Sequence, residues 1–187
     1  RANLNMNGGG STARYFISMS YVQEGGMFKT DDTLKKEYDT NCNANTWNYR
    51  LNTDIDITRK TLLKVGVSGS LKKYNESGFS SDAWQSLMYQ SPINIPVMYS
   101  NGYVPAYGTG IQANPWVLAT QTGYKEFWEN TIQTNITLEQ NLDFLTKGLR
   151  FVARFGFDTW NKNNIERIKW TEQWRVQRRR DDNGNLV

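Results

Sequence analysis

The stretch TWNYRLNTDIDIT, residues 46–58, decides how the rest of the chain is read. By alternation one face carries Trp47, Tyr49, Leu51, Thr53, Ile55 and Ile57, and the other carries Asn48, Arg50, Asn52, Asp54, Asp56 and Thr58. A period of two argues for a β-strand with one oily face and one wet face. A strand this long and this cleanly divided must set its oily face against a protein core or against lipid.

Working outward, the same period recurs. The residues TRKT (58–61) turn the strand into a second one over 61–74, where Leu63, Val65, Val67, Gly69 and Leu71 alternate with Lys64, Gly66, Ser68, Ser70 and Lys72. Upstream, 2–7 and 14–26 form another pair around Gly8, Gly9 and Gly10, whose freedom in φ suits a tight reversal. Downstream, 127–145 and 149–161 pair across TKG; Trp128, Ile132, Ile136, Leu138, Leu142 and Phe144 share one face of the first, and Leu149, Phe151, Ala153, Phe155 and Phe157 one face of the second.

Between these hairpins lie a polar connection around KTDDTLKKEYDTNCNAN and a span of about fifty residues over 75–126, far longer than the usual 4–6 residue link. Within it SSDAWQSLMYQSP reads as a short helix, with Ser81 or Asp82 as N-cap and Trp84, Leu87 and Met88 at helical spacing. The remainder, dense in Gly, Pro, Asn and Tyr, reads as an ordered loop.

Composition narrows the function. The chain has 187 residues, no His and one Cys, which removes Ser-His and Cys-His catalysis, His-ligated zinc and an intrachain disulfide. No enzyme, cofactor or metal is expected. No run approaches the roughly 18 apolar residues of a membrane helix, and the mean hydropathy of −0.69 is neutral toward a membrane barrel, whose strands alternate lipid-facing and water-facing residues. The net charge is +4, but apart from Arg178, Arg179 and Arg180 the cations are interleaved with Asp and Glu, and no nucleic-acid-binding signature appears. The first residues already look like strand, as in a piece cut from something longer.

The expected architecture is all-β: an antiparallel up-and-down meander forming part of a large transmembrane β-barrel, with one long extracellular loop containing a short helix. Tight turns fall at one end and long loops at the other, as in outer-membrane barrels. The segments from 46 onward also exceed the usual 5–6 residue strand. On this reading Arg50, Asp54, Asp56, Lys64, Glu129, Glu139, Asp143, Arg150 and Arg154 face a watery lumen, and Trp47 and Tyr49 lie near the outer lipid interface. The alternative for those charges is the solvated face of a soluble sheet.

The residues also carry a family resemblance. NLNMNGGGSTARYFISMSYVQEGGMFK, WNYRLNTDIDITRKTLLKVGVSGS, then SPINIPVMYSNGYV, NPWVLATQTGY and NTIQTNITLEQNLDFLTKGLRF resemble, in order and over nearly the whole chain, the barrel of SusC/RagA-type TonB-dependent outer-membrane transporters. The resemblance implies a barrel of about 22 strands with a plug, in a bacterial outer membrane, importing oligosaccharides or peptides with a SusD-like surface lipoprotein and energy delivered through TonB. Plug, TonB box and closing strand have no counterpart here, so the chain reads as a barrel-wall fragment. Six strands are too few for the smallest usual barrel, and the isolated chain is not expected to close.

The loop aromatics Trp84, Tyr89, Tyr99, Tyr103, Tyr107 and Trp116 are the candidate ligand or partner contacts. The competing reading is that they hold the loop together. A second function class, a soluble secreted all-β carbohydrate-binding module, uses the same aromatics as a platform.

Overall fold

The computed structural model describes residues 1–28, 38–91, 93, 95–105, 113–170, 172–174 and 182–184. Its strands are β1 (Ala2–Gly9), β2 (Ala13–Glu24), β3 (Ala44–Thr58), β4 (Thr61–Ser77), β5 (Gly123–Asn141) and β6 (Arg150–Ile168), with helices α1 (Ser80–Tyr89) and α2 (Pro115–Thr120) between β4 and β5. The strands form one sheet in the order β1-β2-β3-β4-β5-β6. The fold is an all-β antiparallel meander with few helices.

Register fixes the faces. Ile17, Leu51 and Val67 stand opposite one another in a row across β2, β3 and β4, and so do Tyr21, Trp47 and Leu71. Rows of the other parity hold Ser18, Arg50 and Ser68, then Arg14, Asp54 and Lys64. The period of two seen in residues 46–58 therefore belongs to the whole sheet. Further along, Asn141 N–H donates to Lys60 O, Leu142 N–H donates to Leu149 O, and the Tyr74 and Phe127 rings stack; partners rise along one strand as they fall along the next, which is antiparallel pairing.

The tight ends have local causes. Gly10 N–H donates to Ala13 O at the first reversal. At the second, Lys60 N–H donates to Thr58 Oγ1 and the Thr58 and Thr61 hydroxyls bond at 2.7 Å. The third corrects the expected strand over 127–145: β5 stops at Asn141. Asn141 Oδ1 accepts the Asp143 N–H and the Asp143 carboxylate accepts the Gly148 N–H at 2.8 Å, so side chains take over the backbone donors that a ladder would use. Gly148 sits at φ 84°, where a Cβ is unfavourable. Leu142 and Phe144 thus belong to a turn, not to a sheet face.

Other ends run longer than the alternation suggested. β4 reaches Ser77, β5 begins at Gly123 and β6 reaches Ile168. The polar sequence NKNNIERI has no apolar alternation to announce a strand, and pairing with a neighbouring strand supplies the conformation its own propensity does not.

The chain divides into two compact units. Unit 1 comprises residues 1–25, 43–74 and 126–164, the greater part of the sheet; unit 2 comprises 26–42, 75–125 and 165–187. Unit 2 has an ordinary small core of Ala83, Ala113, Leu118 and Ala119, with Phe28 and Phe79 packed against it. α1 turns its small residues Ala83 and Ser86 inward, and the Ser86 hydroxyl donates to Ala113 O; Leu87 and Met88 stay exposed. The expected Ser81 or Asp82 cap is not used: the N-cap is Phe79, without a side-chain bond, and Asp82 lies in the first turn, where a carboxylate favours the helix dipole. The second helix, α2, lies in a stretch expected to be loop. Asn114 caps it by accepting the Trp116 N–H, and Pro115 opens it.

Candidate functional site

Unit 1 has no core. Among its described residues not one is buried. On the apolar face Met6, Met19, Leu51, Ile57, Phe151, Phe155 and Phe157 are between 38% and 61% exposed. Fully burying one such side chain is worth about 1.5–3 kcal/mol, and much of that is left unrealised here. A contiguous apolar surface of this kind marks a contact with protein or membrane.

The apolar face is edged by amphipathic groups at its long-connection end. Tyr21 and Trp47 lie 5.5 Å apart by ring centroids, and the Tyr21 hydroxyl donates to Asn45 Oδ1. Lys73 holds Glu126 at 2.9 Å and lies 4.7 Å from the Trp128 ring, while Trp128 Nε1–H donates to Glu126 Oε1. Lys73 is opposite Asn45 and has the parity of Trp47, so this charge is on the oily face but paired at its margin. From Trp47 to Ile57 the strand extends about 33 Å.

The opposite face carries the candidate charges. Arg14 meets Asp56 at 3.5 Å, and Glu139 accepts from Lys64 at 2.7 Å and Arg150 at 3.3 Å. Asp54 is flanked in register by Arg14 and Lys64. Glu129 stands 4.0 Å from Lys162. Arg154 lies on β6, four positions beyond Arg150 and of the same parity. Arg50 is exposed, between Ser18 and Ser68 in register. Asp143 is the exception, placed in the β5–β6 turn, where the Gly148 N–H, then the Asn141 side chain, holds its carboxyl below the usual range.

Parity reasoning passed over one cluster on this polar face. Tyr74 and Phe127 stack at 4.5 Å with planes 12° apart, Lys72 Nζ lies 5.4 Å from the Tyr74 ring and Lys162 Nζ 5.5 Å from the Phe127 ring. Tyr74 shares the parity of Lys64 and Lys72, and Phe127 that of Glu129. That signal was present in the sequence; only the register across β4 and β5 joins its two halves.

In unit 2 the loop aromatics do not gather into one platform. Trp84 packs on Phe28 at 5.3 Å and Tyr103 stacks on Trp174 at 4.5 Å, each with a ring outside the expected set. Tyr99 and Tyr103 are joined through the backbone, Tyr99 N–H donating to Tyr103 O. Trp116 occupies the first turn of α2 and Tyr89 is exposed at the end of α1. Tyr107 lies outside the described residues, as do Arg178, Arg179 and Arg180. Phe28, Phe79, Trp170 and Trp174, with the stacked pair Tyr38 and Tyr124, are rings that sequence reasoning missed; Trp170 meets Phe79 at 5.0 Å.

Compared with models of known families and with curated proteins, the chain matches none.

Proposed function

We propose that unit 1 is part of the wall of a transmembrane β-barrel, its apolar face against lipid and its polar face lining a water-filled interior. The observation that carries the proposal is a sheet of long strands in which no described residue of unit 1 is buried while large apolar side chains fill one face. In water such a face is costly; in a bilayer it is the matched surface. The aromatic and Lys73 margin at one end suits the headgroup region. Ion pairs on the other face suit a wet interior, where solvent screens each of them.

The sheet is open at β1 and β6, and in hydrocarbon each unpaired backbone group costs several kcal/mol. Closure therefore takes further strands beyond these six. The ordered resemblance to SusC/RagA-type transporters extends the reading: a segment of a TonB-dependent outer-membrane importer for oligosaccharides or peptides, working with a SusD-like surface lipoprotein. On this reading the protein is a conduit and binding device, not an enzyme.

The test is fractionation of the whole protein that carries this wall. It should be recovered with outer membranes, resist carbonate extraction and migrate faster on unheated than on heated gels, as closed barrels do. Recovery as a soluble protein with no heat-dependent migration overturns the proposal.

A further inference from the structure

The polar face of unit 1 changes character away from its ion-paired turn end. There Asp56 and Glu139 are engaged by Arg14, Lys64 and Arg150. Beyond them Ser18, Ser20, Asn48, Arg50, Ser68 and Gln133 line a shallow depression of about 480 Å³. Its lining is mostly hydroxyl and amide, with a single charge at Arg50 and with Phe16 and Tyr49 as aromatic members. Asn48 Nδ2–H donates to Ser20 Oγ, which sets the orientation of that pair.

Arg50 is the charged member of that lining, and like Lys72 and Arg154 on the same face it makes none of the ion pairs seen there. Its register partners are Ser18 and Ser68, and among the described residues no carboxylate lies within 4.0 Å of it, although Arg14, Lys64, Lys73, Arg150 and Lys162 all have one. A guanidinium presents a rigid fork of donors suited to a carboxylate or sulfate. Four positions along β4 from Ser68, about 13 Å at strand rise, Lys72 stands beside the Tyr74–Phe127 stack, with Lys162 on the far ring. One face thus offers two cationic positions separated by a hydroxyl-lined hollow.

We propose that this track binds an anionic oligosaccharide. Arg50 takes one carboxylate or sulfate, the serine and amide side chains take hydroxyls, and Lys72 takes a second acidic group further along. The saccharide is favoured over a peptide because the strand backbones are committed to the sheet ladder and cannot pair with an extended main chain. The inference rests on the reading of this face as the interior of an importer.

The experiment is calorimetric titration of the purified whole protein with oligogalacturonate, a chondroitin sulfate oligosaccharide, a maltodextrin of matched length and oligoglutamate. At least one acidic saccharide should bind more tightly than the maltodextrin and oligoglutamate, and Arg50→Ser should weaken it roughly tenfold or more. Arg50→Lys should retain part of the affinity, and Lys72→Ser should also lower it. The two acidic probes separate carboxylate from sulfate preference, and either supports the inference. It is overturned if the maltodextrin or oligoglutamate binds as well, if no probe binds, or if Arg50→Ser changes nothing. Heat-dependent migration of the same samples keeps the two claims apart: a closed barrel without acidic preference sinks this inference alone, and loss of the barrel signature in the wild type sinks the transport reading.

Discussion

The ring of Tyr49 lies across Gly69, its register partner on the neighbouring strand: a Cβ built on Gly69 would stand 2.7 Å from the Tyr49 Cζ. Tyr15 covers Gly8 in the same way, with its Cζ 2.8 Å from such a Cβ. Both tyrosines have the parity of the apolar face. A ring laid over a strand glycine supplies the cover that the missing side chain leaves out.

Gly69→Ala should therefore destabilise the sheet by about 1–3 kcal/mol, the usual cost of overpacking. The added methyl meets the Thr131 carbonyl oxygen as well as the Tyr49 ring, and the first of these is backbone. Combining it with Tyr49→Ala should recover only part of the loss. Urea unfolding of the whole protein in short-chain lipid measures both; full recovery in the double variant would mean that the backbone contact does not matter.

The β5–β6 turn should loosen in acid. Asp143 accepts the Gly148 N–H, and that bond, then the Asn141 side chain, holds its carboxyl below the ordinary 3.8. A carboxyl depressed in the folded state contributes stability that is complete above the unfolded value and is lost as pH falls through the folded one. Protection of the Gly148 amide from hydrogen exchange should drop between about pH 6 and about pH 2 beyond the change in intrinsic rate. Asp143→Asn should abolish the pH dependence; an unchanged profile in that variant would point to another group.

Glu139→Gln removes the anion shared by Lys64 and Arg150. Because Lys64 and Arg150 remain open to solvent, the loss should be small and should shrink further in high salt. A double-mutant cycle with Lys64→Met measures the coupling. A loss of several kcal/mol, insensitive to salt, would place this pair in a dry environment and contradict a wet interior.

How much was legible follows from which forces act locally. The alternation of Leu51 against Arg50, and of Val67 against Ser68, is a direct consequence of the pleat, so both faces and the sharp Thr58–Thr61 turn could be read from residue order. The end of β5 could not. Leu142, Asp143 and Phe144 continue the alternation, and the Asn141 and Asp143 side-chain bonds, with Gly148 at positive φ, close a turn there instead. α2 was available in principle, since Asn114 followed by Pro115 is a cap signature; the surrounding Gly, Pro and Tyr concealed a helix of 6 residues. The loop aromatics were individually visible, but their partners, Phe28 for Trp84 and Trp174 for Tyr103, lie far away in sequence.

The central claim is that one face of β3 touches lipid and the other touches water. The most direct test places single cysteines at Arg50, Leu51, Asn52, Asp54, Ile55 and Ile57 in the whole protein reconstituted in bilayers. Cys42, this chain's one cysteine, is replaced by Ser; its thiol is pushed up by burial and by nearby Glu76. Each site carries an environment-sensitive fluorophore read with spin-labelled lipid. Quenching should be strong at 51, 55 and 57 and weak at 50, 52 and 54, repeating the period of two. Uniform quenching, or water exposure at Leu51 and Ile55, would contradict it.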